Sequence, residues 1–246
     1  QHHNKSLGYA IELKNEALQV SNYINRGFLH SLRGQHTYAI QQCESAISLL
    51  KNLPKTKDNL HRLCVVITYL GSTYRHSSDY EKASEHYQKS LQISQDIIDL
   101  EVECEAYQQL GINLHLQGRA LRRQERDFLE ACKLQYDAWK NITKALEIAY
   151  RTNWSIALSD GLNRLAKIYR EINRLESFEE IIIKQSNGNA AFSELKQLAL
   201  NFELPLEITY RSKLLVQNNF AELDWLGKAL RLFDVSSLVA IEASHF

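Results

Sequence analysis

Small residues return along this chain at intervals that no single helix or sheet explains. Gly27, Gly71, Gly111 and Ala166 follow one another at spacings of 44, 40 and 55 residues, and a weaker copy around Arg211 comes 45 residues after Ala166. Each anchor opens a similar apolar pattern. Gly27-Phe28-Leu29-His30 is followed by Gly34, Ala39 and Ala46. Leu70-Gly71 is followed by Tyr74, Tyr80, Ala83, Tyr87 and Leu91, and Leu110-Gly111 by Leu114 and Gly118. Leu165-Ala166 is followed by Tyr169, Leu175, Phe178 and Ile182, and Tyr210-Arg211 by Leu214, Phe220, Leu223 and Leu230. A period of this size marks a stacked array, in which each unit buries its apolar face only against a neighbour. The units are helical. Small or apolar residues at 83, 87, 91 and 94 lie on one helical stripe, and Asp79 stands where a helix start needs an acceptor. Only 2 Pro and 9 Gly punctuate 246 residues, too few turn signals for a strand architecture.

On these residues the segment 64–91 resembles the tetratricopeptide repeat: small residues at Gly71 and Ala83 let two helices approach, and Tyr74, Tyr80 and Tyr87 fill the seam. The resemblance covers about residues 20–235 and is to the long-period variant seen in kinesin light chains and bacterial regulatory ATPases. It implies an all-α fold, an α-solenoid of stacked antiparallel helix pairs in a right-handed superhelix. A single solenoid would run over 1–246, with repeats at approximately 20–60, 61–100, 101–152, 155–190 and 200–235. Residues 236–246 read as the truncated start of a further helix. We expect at least nine helices and no sheet. The pattern departs from the family at His36, Phe178 and Gly227.

The resemblance also implies a function, protein or peptide binding in a groove lined by the first helix of each pair. Counted from the anchors, the groove residues are Thr68, Ser72, Arg75 and His76, then Gln108 and His115, then Asn163, Lys167 and Arg170. Arg75, His115 and Arg170 each fall four residues after an anchor, which would align donors for an acidic or carbonyl-rich partner. The carboxylate clamp of some family members does not map, since Phe28 stands where a polar residue is wanted. An alternative places the chain as the regulatory or sensor segment of a larger signalling ATPase or transcription regulator. A helical-repeat enzyme or nucleic-acid binder is disfavoured.

Other classes are opposed by what the sequence carries. Lys+Arg and Asp+Glu are equal at 29 each, which gives no general pull toward nucleic acid or anionic membrane. No apolar run approaches the roughly 20 residues of a membrane span. The four cysteines, Cys43, Cys64, Cys104 and Cys132, are scattered, so we read reduced thiols and a cytoplasmic setting. His61 and Cys64 share a helical face but lack the further ligands that zinc needs. No phosphate loop, nucleophile elbow or zinc-protease motif occurs, so neither catalysis nor a cofactor is expected.

The long third spacing implies an insertion at about 119–133. Read with Gly118 as the usual turn, it lengthens the second helix at its start. Arg119, Arg122, Arg123 and Arg126 then share one face beside Phe128. Such an arm would form a secondary contact with a second copy or an acidic partner.

Overall fold

In the computed structural model the described residues are 2–176, with side chains described for 5–168 and 171. The expected fifth repeat, the part of the fourth beyond Glu176, with Phe178, and the segment 236–246 lie outside them. All eight elements among the described residues are helices: α1 (His2–Glu12), α2 (Glu16–Leu32), α3 (His36–Asn52), α4 (Lys57–His76), α5 (Tyr80–Asp96), α6 (Leu100–Arg123), α7 (Phe128–Arg151) and α8 (Ser155–Glu176). The class is all-α, of the α-solenoid type. The chain forms two compact units, residues 1–113 and 114–246, whose boundary falls within α6.

Most connections use one device. A residue with positive φ ends the helix: Lys14, Gly34, Ser78, Ile98, Glu125 or Asn153. The next amide then bonds back five residues, as Asn15 to Ala10, Asp79 to Tyr74, Asp99 to Ser94 and Arg126 to Leu121. This closure satisfies carbonyls that a helix end leaves open. Asn15, Asp79 and Asp99 also accept from the amide three residues on, at 3.0–3.2 Å, and so cap the following helix. One short residue thus stops one helix and starts the next, which keeps these turns at three residues.

Ile98 is the anomaly in this set. A β-branched residue at φ +53° is strained, and its side chain is 75 % exposed, so burial does not compensate. Ile98→Gly is expected to raise stability by about 1 kcal/mol, measured as a shift of the urea midpoint at constant slope.

Small anchors set the seam of each pair. A Cβ on Gly27 would meet Cys43 Sγ at 3.2 Å and Ala39 O at 3.5 Å. On Gly71 it would meet Tyr87 Cε1 at 2.8 Å and Ala83 O at 3.2 Å. On Gly118 it would meet Gln135 Nε2 at 2.5 Å and Ala131 O at 3.1 Å. Gly118 therefore lies inside α6 and does the work of Gly71, which corrects its reading as a turn. The turn falls at 124–127. Both helices of this pair have 24 residues, against 17 for α2, α3 and α5. Relative to the first pair, the extra length is seven residues in each helix and one in the turn. The expected one-sided extension of the second helix is thus replaced by two matched ones.

Candidate binding face on the first helices

Within residues 1–113, side chains link α2, α4 and α6 directly. Phe28 on α2 meets Tyr69 on α4 edge-on, with ring centroids 6.0 Å apart. Arg75 Nη1 on α4 donates to Gln109 Oε1 on α6 at 2.6 Å, and Gln109 Nε2 donates to Glu105 Oε1 at 2.6 Å. The same guanidinium lies 5.9 Å from the ring centre of Tyr87, which is fully buried and shares a 3.1 Å hydrogen bond with Ser72 Oγ. Three stripes with the i, i+3 or i+4, i+7 spacing of one helix face pass through these contacts. They are Asn25, Phe28 and Leu32 on α2, Val65, Tyr69 and Ser72 on α4, and Glu105, Gln109 and Ile112 on α6.

The sequence-derived groove residues divide by burial. Ser72 and Arg75 lie on this face, and His76 is exposed at the end of α4 beside His36, with ring centroids 6.4 Å apart. Partial desolvation of the ring by its neighbours, then the charge of Arg75, lowers the His76 pKa. Thr68 is buried and donates to Ser90 Oγ at 2.9 Å in the seam with α5. Gln108 is buried as well. Neither opens onto a groove surface, because each stands on the side of its helix that its partners cover.

In residues 114–246, His115 is likewise buried, and Gln135 of α7 holds it at both ends. His115 Nδ1 meets Gln135 Oε1 at 2.8 Å, while Gln135 Nε2 donates to His115 O at 3.1 Å. The amide orientation makes Nδ1 the donor. Burial first, then the charges of Arg119 and Lys167, lower the pKa of this imidazole, against opposing pulls from Gln135 and Glu171. A folded-state pKa below the unfolded one gives stability that is complete above the unfolded value and is lost as pH falls through the folded one. We therefore expect the urea midpoint to fall on passing from pH 7.5 to 5.5, and His115→Gln to flatten that dependence.

Arg122 Nε bonds Glu171 Oε1 on α8, and Arg119 Nε stands 3.8 Å from Glu171 Oε2. Glu171 is almost wholly buried. With Gly118 as the seam anchor, Arg122 is the counterpart of Arg75, four residues after its glycine, and each reaches the next first helix. The aligned set Arg75, His115 and Arg170 is corrected accordingly, since His115 then matches the buried Thr68. The side chain of Arg170 lies outside the described residues. Asn163 is half-buried and Lys167 exposed on α8. The arginine face of the insertion is corrected too. Arg119 and Arg122 turn to Glu171, Arg126 lies in the turn beyond α6, and Phe128 is buried with Ala131, Cys132 and Leu121. Arg123 is exposed.

No metal cluster of three or more His, Cys, Asp or Glu occurs among the described residues. His61 Nδ1 pairs with Asp99 Oδ2 at 2.7 Å rather than with Cys64. Burial pushes the thiols up, to about 12 for Cys43 and Cys132 and about 11 for Cys64. No helix among the described residues is long and apolar enough to cross a membrane.

Residues 62–122, which run from α4 through nearly all of α6, match the model of the tetratricopeptide repeat. That segment is tetratricopeptide repeat. No curated protein matches the sequence. The apo form of RapI is similar in structure over 97 % of this chain and 58 % of its own, at 14 % identity and a TM-score of 0.55. Aspartyl phosphate phosphatase F from Bacillus subtilis is similar over 99 % of this chain and 63 % of its own, at 14 % identity and a TM-score of 0.57. At that identity the likeness concerns the fold alone, and the chain spans less than two thirds of either protein. The tetratricopeptide anchors were legible in the sequence. Phe28–Tyr69 and the pairing of Arg122 with Glu171 were not, because their partners lie 41 and 49 residues apart without a shared motif.

Proposed function

We propose that this chain is a non-catalytic tetratricopeptide scaffold that receives a protein or peptide on the face of its first helices. The observation that carries the reading is the linked row Arg75, Gln109 and Glu105. There, hydrogen-bonding side chains from α4 and α6 hold one another in place before any partner arrives. A preformed surface binds with less ordering cost than a mobile one. Concave faces of repeat arrays commonly serve this purpose. In the second unit the exposed Lys167 favours a carboxylate on the partner. A cytoplasmic setting, with the thiols reduced, belongs to the same reading.

A second reading makes the chain the regulatory segment of a larger signalling protein. Its support is that both similar structures are considerably longer than this chain. The name of one of them refers to phosphatase activity, and 14 % identity does not carry that activity across.

Peptides selected from a random library against the purified chain test the first reading. Their amide chemical-shift footprint should fall, within each unit taken by itself, on the first helices: α2, α4 and the start of α6 in residues 1–113, and α8 in residues 114–246. A footprint confined to α3, α5 and α7 would overturn it.

A further inference from the structure

We propose that the first-helix face of residues 1–113 holds a neutral aromatic-anchor subsite, in which Phe28 and Tyr69 clasp a large apolar or aromatic side chain of a peptide. The proposal rests on the first-helix binding reading and names the chemistry of its ligand. Two observations carry it. Phe28 is 45 % exposed and Tyr69 40 % exposed, although both are large rings on neighbouring helices. They meet at 70° with centroids 6.0 Å apart, and this edge-to-face contact leaves part of each ring uncovered. Leu32, one helical turn beyond Phe28, is 69 % exposed and extends the same apolar strip. The Tyr69 hydroxyl has no hydrogen-bond partner among the described residues, which leaves it able to meet a peptide carbonyl.

Charge selects the occupant. The α2 stripe at 25, 28 and 32 is uncharged, and the α4 stripe adds valine, tyrosine and serine. The charges nearest the strip include Arg62, one turn before Val65 and paired with Asp58 at 3.0 Å, and Arg75 and Glu105, which Gln109 bridges by hydrogen bonds at both ends. A charged ligand group would have to give up water against the uncharged side chains of Phe28, Leu32, Val65 and Tyr69, whereas an apolar side chain gains by covering them. A nucleic acid needs cations along its backbone, which this strip does not present. A neutral peptide with one large side chain meets an apolar strip lined by Asn25, Ser72 and the Tyr69 hydroxyl, groups that suit its backbone. Aromatic contacts of this geometry gain beyond the area they cover.

The test uses the full chain and two probes, N-acetyl-tryptophanamide and N-acetyl-glutamate, followed by the aromatic proton–carbon spectrum. The first probe should shift the Phe28 and Tyr69 ring signals saturably, and the second should leave them in place. Tyr69→Ala should weaken the response of Phe28 by about fivefold, and Tyr69→Phe should keep most of it. Phe28→Ser, read on Tyr69, gives the same test should Tyr69→Ala fail to fold. Rings that stay still up to the solubility of the first probe, or that respond equally to both probes, overturn the proposal. In that event a glutamate response at Gln109 and Ser72 would leave the first-helix reading standing. Library peptides that map to the second helices would remove that reading itself.

Discussion

Glu171→Ala is expected to cost about 3–5 kcal/mol, among the largest effects of any single change in the described chain. The carboxylate belongs to α8, is almost wholly buried, and takes the Arg122 guanidinium from α6. A charge in such a place persists because its partner and hydrogen bonds offset the loss of water. Removing the carboxylate leaves Arg122, whose side chain is itself only 17 % exposed, facing a site built for an anion. The penalty is therefore that of the stranded cation more than that of the lost attraction. Replacing both members, Glu171→Leu with Arg122→Met, should recover part of the loss, since an apolar pair of similar volume removes the need for compensation at Arg122 while Arg119 still lacks its carboxylate. Urea unfolding at pH 7.5 measures all three chains. A loss under about 1 kcal/mol for Glu171→Ala would mean that Arg122 reaches water freely. The His115 titration should move as well, because the negative charge of Glu171 now holds that imidazole partly up.

Gly71→Leu is expected to cost about 3 kcal/mol, at the upper end for an overpacked core. The site has no slack. Even a methyl group at Gly71 would stand 2.8 Å from Tyr87 Cε1 and 3.2 Å from the backbone oxygen of Ala83. Tyr87 has nowhere to go, being fully buried and tied through its hydroxyl to Ser72. Helix α5 must move away from α4, and the Ser90–Thr68 and Ser90–Cys64 hydrogen bonds of the same seam then lengthen. Gly118→Leu should be similarly costly, because the nearest atom there is Gln135 Nε2, which holds His115. Gly34→Leu, by contrast, meets no atom within 4 Å, and what it costs comes from the positive φ of that turn. Thermal and urea unfolding of the three chains should show comparable losses for Gly71→Leu and Gly118→Leu and a smaller one for Gly34→Leu. A Gly71→Leu chain with an unchanged midpoint would show that α4 and α5 are not in contact at this residue.

How far the fold could be read in advance depended on what each residue announces locally. Gly71, Ala83 and Tyr87 declare a helix–helix seam through size alone, and the structure places them together. Asp79 declares a helix start through its side-chain acceptor, which indeed receives the Lys82 amide. Gly118 misled because glycine has two uses, ending a helix or admitting a neighbour, and a sequence does not say which. The deciding fact is the position of Ala131 and Gln135 across the seam. The binding face was the least legible part. Helical periodicity puts Thr68 and Ser72 on one side of α4, yet Thr68 turns into the seam with α5 while Ser72 stands at its margin. A difference of a few tens of degrees around a helix separates a seam residue from a face residue, and residue spacing does not resolve it. Glu171 gave no sign of burial, since glutamate on a helix is ordinarily solvated and its arginine partner lies far off in the chain.

The matched lengthening of α6 and α7 bears on how such a chain tolerates growth. Seven residues make nearly two whole turns of helix, falling short by only about 20°. A helix that gains seven residues therefore keeps its angular phase, and every side chain beyond the addition looks in almost its former direction. An addition of five would rotate the remainder by about 140° and turn seam residues toward solvent. Equal gains on two antiparallel partners also keep their ends level, so the connection needs no new geometry beyond one residue. Length in this architecture is thus quantised, and a repeat can become taller without its surfaces being redrawn.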